Sequence, residues 1–297
     1  DLTCDGSLMG NGIEARSFKI PTFQLAVPIR HRQESVQEYA AEEVVNAIHF
    51  IEEQTGEKFD WDAFFKSMKR FNAETEEFLE WMEISKTDYP QVMGVTLALY
   101  RYGVYQAAGG RNQAFLDMDK KLTKMALDAY KSKEMAAKEY RHRAMTWGVQ
   151  AAYYTALPIW LLNCWGVVTI ADMLSMVSTE MVNTEDKHQA MLDLAYLYEN
   201  MIMRNRSNGG YETGVEALWR FCEMFNIDIV IMYVHMGCKS MSGYHGLFEE
   251  EARKHGIHLI WVTHNLMCPE DGTRRDMRTE INRYMRTVFR EDRKSVV

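Results

Sequence analysis

Between Ala144 and Ala171 the chain carries no charged residue. So long an apolar run has two natural homes, a bilayer or the enclosed interior of a parallel sheet covered on both faces. Pro158, Asn163 and Gly166 interrupt it, and polar Gln150 and Thr155 sit inside it, which argues against a membrane-spanning helix. The run divides better into a strand (144–149, AMTWGV), a helix around 154–163 and a second strand (166–172, GVVTIAD), a buried βαβ unit. Helical patterns over 185–203 and 215–225, separated by the polar loop 204–214, lead to a third apolar run, 227–234. A helix (246–256), a fourth strand (257–263, IHLIWVT) and a basic helix (274–289) complete the series. Strand and helix in alternation predict an α/β fold with a mostly parallel sheet and right-handed crossovers.

Upstream, residues 33–140 are helical in pattern. The stretch 36–56 has apolar residues at helical spacing and stops at Gly56. Asp60 is placed to cap a long amphipathic helix over 61–84; further helices are expected over 92–108 and 117–140, their charged positions forming solvated faces. Residues 1–7 (DLTCDGS) read as a strand end entering a loop that carries Cys4, Asp5 and Gly6. Gly10 and Gly12 continue the punctuation, and 22–27 (TFQLAV) reads as a short strand ended by Pro28. The expected organisation is therefore the C-terminal remnant of a first α/β domain (1–32), a helical region (33–140) and a second α/β domain (141–297). Cys4 comes almost at the start with no strand before it, so the chain reads as truncated at its N-terminus.

The 297 residues include 47% apolar and 26% charged side chains, enough to bury a sizeable core. The net charge of −8, without a long basic block, argues against nucleic acid and against an anionic membrane as partners. Five widely spaced cysteines (Cys4, Cys164, Cys222, Cys238, Cys268), no CxxC pair and no signal peptide fit a reducing cytoplasm rather than a disulfide framework. No GxxxxGK[ST], no GxGxxG after a strand and no GxSxG occurs, so ATP, dinucleotide and serine-hydrolase fingerprints are missing.

The cysteines carry what chemistry is visible. Cys222, within an amphipathic helix, and Cys164, beside Trp165, read as packed core. Cys268 follows the fourth strand in HNLMCPEDG. Cys238 follows the third strand and precedes a helix, where N–H groups and the helix dipole favour a thiolate; open α/β sheets collect ligands at that edge. Cys4 has the same kind of setting. If two α/β domains face each other, Cys4 and Cys238 converge on one cleft, which suits a soft metal centre such as an iron–sulfur cluster. A zinc site from Cys4, Cys238 and His235, or a scaffold with an unoccupied cleft, are the other readings. His235 and Lys239 flank Cys238 and are candidate catalytic groups. Ser240, Ser242 and Gly243 are candidates for helix capping or for bonds to a cluster. Trp147, Tyr153, Tyr154 and Trp160 are candidates for an aromatic acyl pocket, with core packing as the alternative.

The segments DLTCDGS, IPTFQLAVP, IEEQTGEKFDWDAFFKSMKRFN and VHMGCKSMSG, in this order and spacing, resemble the 2-hydroxyacyl-CoA dehydratase and benzoyl-CoA reductase family across essentially the whole chain. The resemblance implies two Rossmann-like α/β domains, the first truncated here, with a helical segment between them. It implies a [4Fe–4S] cluster on three cysteines with one open iron, Cys4 and Cys238 matching the second and third ligands. The first would lie upstream of Asp1. A homologous second catalytic subunit, an ATP-dependent iron–sulfur activator and a CoA-thioester substrate are the implied partners. Where relatives often carry Asp-Pro, this chain has Cys268-Pro269. Resemblance at the C-terminal end leans toward benzoyl-CoA reductase, with reductive dehydration of a 2-hydroxyacyl-CoA as the alternative.

Overall fold

The computed structural model describes residues 5–26, 28, 34–91, 112–135, 139–151, 153–174, 180–200 and 211–293. Its centre is a parallel four-stranded sheet of β1 (His142–Trp147), β2 (Val167–Asp172), β3 (Ile229–His235) and β4 (His258–His264), in the order β2-β1-β3-β4. The α/β expectation is met, and each of the four strands falls on one of the apolar runs. All six residues of β2 and the first six of β3 are buried, as strands covered on both faces must be.

One face of the sheet (Met145, Trp147, Val230, Met232, Val234) packs against α3 (Trp61–Lys86), α7 (Tyr211–Met224) and α9 (His245–His255), through Phe78, Leu218 and Phe248 among others. The opposite face (Ala144, Ile231, Tyr233, Ile260, Val262) packs against α5 (Leu157–Trp165) and α10 (Arg274–Tyr284). The period-2 alternation of strand side chains divides them between two cores. The carboxyl end of α10 continues as a single π turn, Met285–Phe289.

Ahead of the sheet lie α1 (Asp5–Phe18), α2 (Glu34–Thr55), α3 and α4 (Gln113–Lys131). Asp60 caps α3 as expected, accepting from the Ala63 N–H. A third packing cluster joins α2 (Ala40, Ala41) to α6 (Lys187–Glu199; Ala190, Met191, Ala195). Because α3 also supplies Phe78 and Met82 to the sheet core, the helices upstream of residue 140 share their packing with the α/β part.

Two sequence expectations are corrected. The glycine-punctuated loop is helix α1 from Asp5 onward, and the strand expected over 22–27 is irregular backbone over 22–26. The apolar side chains there are used differently: the Phe23 ring lies 5.6 Å from that of Phe50, and the Ala26 N–H donates to Glu43 on α2. A short apolar run packed against a helix has the composition of a strand. Cys4 and the helix expected over 92–108 lie outside the described residues. Among the described residues, no helix is long and apolar enough to cross a membrane.

Candidate functional site

Strand order reverses between β1 and β3: the crossover from β1 leads outward to β2, and the chain returns to the other side of β1 as β3. The crevice beyond the carboxyl ends of β1 and β3 is the switch point at which open α/β sheets bind ligands. The residues that follow β1, β3 and β4 build it.

Gly148 sets the course of the loop after β1. Its φ is +96°, and a Cβ there would lie 2.2 Å from the Tyr233 carbonyl oxygen, so only glycine lets the end of β1 cross β3 this closely. Gly272 does similar work after β4, where a Cβ would meet the His264 Cα at 2.8 Å. The Tyr153 hydroxyl donates to the Gly272 carbonyl at 2.5 Å, tying the β1 and β4 loops together. Burial, then the nearby Cys268 and Asp271, raise the Tyr153 pKa, so this phenol keeps its proton.

Cys238 lies where the sequence places it, three residues past the end of β3. It is a free, half-buried thiol at the N-cap of α8 (Lys239–Gly243), without a side-chain cap bond. Two expectations about this loop change. The short polar loop expected after Cys238 is a five-residue helix, too short to supply the full dipole argument, whereas the longer helix, α9, begins at His245, within a residue of its expected start. The capping position belongs to Cys238 itself, with Ser240 and Ser242 inside α8. Lys239 is exposed at the first turn of α8.

His235 ends β3 and pairs in register with His264 at the end of β4. Their rings stack at 6.1 Å and 22°, and the His264 carbonyl accepts from the Met236 N–H at 3.0 Å. The Cys238 N–H in turn donates to the His235 carbonyl at 2.8 Å, so Cys238, His235 and His264 form one connected edge. His264 is fully buried, and neither ring nitrogen meets hydrogen-bond geometry with a described residue. Burial lowers its pKa first of all; His235 acts in the same sense, and backbone groups of Asn265 and Val149 oppose them. The imidazole is therefore neutral at pH 7. Sequence reasoning ended the fourth strand at Thr263 and missed His264, whose significance comes from burial and from partners that only the tertiary structure reveals.

The other cysteines separate clearly. Cys222 is in the core, and burial pushes its thiol up to about 12. Cys164 packs beside the second core. The Cys268 thiol donates to Glu270 at 3.0 Å, and this bond raises its pKa, so it is held as a thiol. The four aromatics expected to form an acyl pocket do not share one space: Trp147 faces the α3 side of the sheet, whereas Tyr153, Tyr154 and Trp160 belong to the α5/α10 side.

Among the described residues, no three His, Cys, Asp or Glu side chains are gathered closely enough to hold a metal ion. Cys238 fits an iron–sulfur cluster as one soft donor at the ligand-collecting edge. A complete ligand set needs thiolates from outside the described residues.

Fold and edge together define a parallel α/β protein with a thiol and two histidines at its switch point. Residues 1–284 match the family described as 2-hydroxyglutaryl-CoA dehydratase, D-component, and the chain belongs to that family. No curated protein matches the chain.

Proposed function

We propose that this chain is the cluster-bearing catalytic subunit of an enzyme that reductively dehydrates a 2-hydroxyacyl-CoA. The observation that carries this reading is the match of residues 1–284 to a dehydratase component family. The position of Cys238 at the switch point supports it. ATP-driven ring reduction of benzoyl-CoA, toward which the C-terminal resemblance leans, is the second reading. It loses part of one argument, because Trp147 lies on the opposite face of the sheet from the other three aromatic residues proposed to cradle an aryl group, Tyr153, Tyr154 and Trp160.

On this reading residues 141–297 present Cys238, residues 33–140 form the helical part, and residues 1–32, with Cys4, bring the opposing thiolate. A homologous second subunit and a separate ATP-hydrolysing iron–sulfur activator complete a cytoplasmic enzyme. Cys4 and Cys238, with a third thiolate, would hold a [4Fe–4S] cluster, which when bound supplies low-potential electrons and an open iron. The chain's own residues prepare the surroundings. His235 orients the edge beside Cys238 through its ring and its carbonyl. His264 keeps a buried, neutral imidazole packed behind it. Tyr153 keeps a protonated hydroxyl in the neighbouring loop, and Lys239 supplies an exposed positive charge for a thioester or its phosphates.

Anaerobic turnover with ATP and activator tests the choice of reaction. Dehydration of 2-hydroxyacyl-CoA, without reduction of benzoyl-CoA, is the expected result. Ring reduction without dehydration would replace this reading with the second one, and activity on neither thioester would remove both.

A further inference from the structure

Three arginines on the α5/α10 side are held against aromatic rings in an alternating series. The Arg274 guanidinium carbon lies 5.4 Å from the centre of the Tyr154 ring. That of Arg278 lies 5.3 Å from Tyr154 and 5.2 Å from Trp160. That of Arg293 lies 5.9 Å from Trp160 and 6.0 Å from Trp165. Hydrogen bonds hold two of them in place: Arg278 Nε donates to the Tyr154 hydroxyl, and an Arg274 terminal nitrogen donates to the Tyr153 carbonyl at 2.8 Å.

Among the described residues, no carboxylate lies within ion-pair distance of these three guanidinium groups, although the protein as a whole is acidic. Several acidic groups close in sequence to Arg274 are engaged elsewhere. Glu270 takes the Cys268 thiol, Asp271 the Asn265 amide and Asp276 the Thr273 cap. Arg274 and Arg278 stand four apart on one helix face, where like charges repel. By contrast, Arg283 of the same helix pairs with Glu280. Stacking has already restricted the three side chains, so little further ordering is needed to grip an anion, and arginine's forked donors match phosphoryl oxygens.

We propose that Arg274, Arg278 and Arg293 form a phosphoryl-anion site along the α5/α10 side of the sheet. The shared chemistry is a multiply charged phosphate group, and two sources present it: the phosphates of a CoA carrier, or free polyphosphate. The site itself is independent of the proposed dehydration; only its assignment to the carrier rests on that reading.

Calorimetric titration of the whole protein with CoA, 3′-dephospho-CoA and inorganic pyrophosphate tests the proposal. Binding is expected to weaken as salt rises, and by about tenfold in each of Arg278→Gln and Arg293→Gln. The control Arg283→Gln on the same helix should bind as wild type does. Thermal melting of each variant separates lost binding from lost folding, and exposed Arg293 provides a variant with little packing to lose. CoA binding tighter than 3′-dephospho-CoA, with the difference abolished in the variants, assigns the carrier's 3′-phosphate. Equal binding of all three probes, still lost in the variants, supports the site and assigns it to polyphosphate in general. Absence of binding by wild type, or unchanged binding in folded Arg278→Gln and Arg293→Gln, overturns the proposal. Anion binding without turnover of any CoA thioester leaves the site standing and removes the proposed reaction.

Discussion

The two ends of the sheet treat their polar groups in opposite ways. At the amino end, Arg143 is buried yet donates to the carbonyls of Ser85, Thr87 and Phe225, all at 2.8–2.9 Å. It thereby satisfies carbonyls at the negative end of α3 while joining that helix to β1. His142 meets Glu291 at 2.9 Å, and His258 meets the Tyr284 hydroxyl at 3.2 Å. At the carboxyl end, Trp147 Nε1 and Gln150 Oε1 are buried without a hydrogen-bond partner among the described residues, and the His264 ring nitrogens have only poorly aligned backbone groups of Asn265 and Val149 beside them. Buried polar groups are normally satisfied, and leaving one unmet costs about 1–3 kcal/mol. The amino end is built for stability, and the carboxyl end forgoes some of it where a ligand is expected.

Substitutions at the two ends should therefore separate stability from activity. The largest loss is expected for Arg143→Met, about 3–5 kcal/mol, because several carbonyls lose their donor in a buried place. Denaturant unfolding measures it, and a cost below 1 kcal/mol would show that the joint between α3 and the sheet is weak. Gly148→Ala should cost about 2–3 kcal/mol, through the contact with the Tyr233 carbonyl and the positive φ. It should also lower turnover, since the loop it displaces lines the crevice. His142→Leu should cost about 1–2 kcal/mol by removing the Glu291 contact, with turnover largely kept.

His264→Leu reverses that pattern. Stability should stay within about 1 kcal/mol of wild type, because a poorly satisfied buried imidazole is exchanged for an apolar side chain, while turnover falls. A variant destabilised as much as His142→Leu but fully active would break the comparison. The pH dependence carries a related test. The folded pKa of His264 lies below its ordinary value near 6.5, so the unfolded chain binds the proton first. Stability is thus fully present above the ordinary value and declines as pH falls from there toward the depressed one. His258 is lowered in the same direction, chiefly by burial, so the decline in His264→Leu should be reduced rather than abolished.

Much of this arrangement is legible in the sequence where one physical constraint dominates. Strands buried on both faces need uninterrupted apolar runs, so β1 to β4 stand out, with ends shifted by a residue or two. Cys238 is legible because a strand end, a glycine and a cysteine follow one another. The segment around Thr22 misleads because packing of Phe23 against a helix and pairing in a sheet call for the same residues. Helix α1 hides behind Gly6, Gly10 and Gly12, and at Gly10 and Gly12 an added Cβ would meet only open space. The isolation of His264 and the separation of Trp147 from Tyr154 depend on which side of the sheet each residue faces relative to distant helices. The apolar runs alone do not reveal that.

The central claim is that the edge around Cys238 carries a cluster. Iron and acid-labile sulfide, measured per chain on protein made and purified without oxygen, test it directly. Wild type should hold about four of each, and Cys238→Ser should lose most of both while keeping its fold. A wild-type protein devoid of iron, or a Cys238→Ser variant retaining the full complement, would contradict the account.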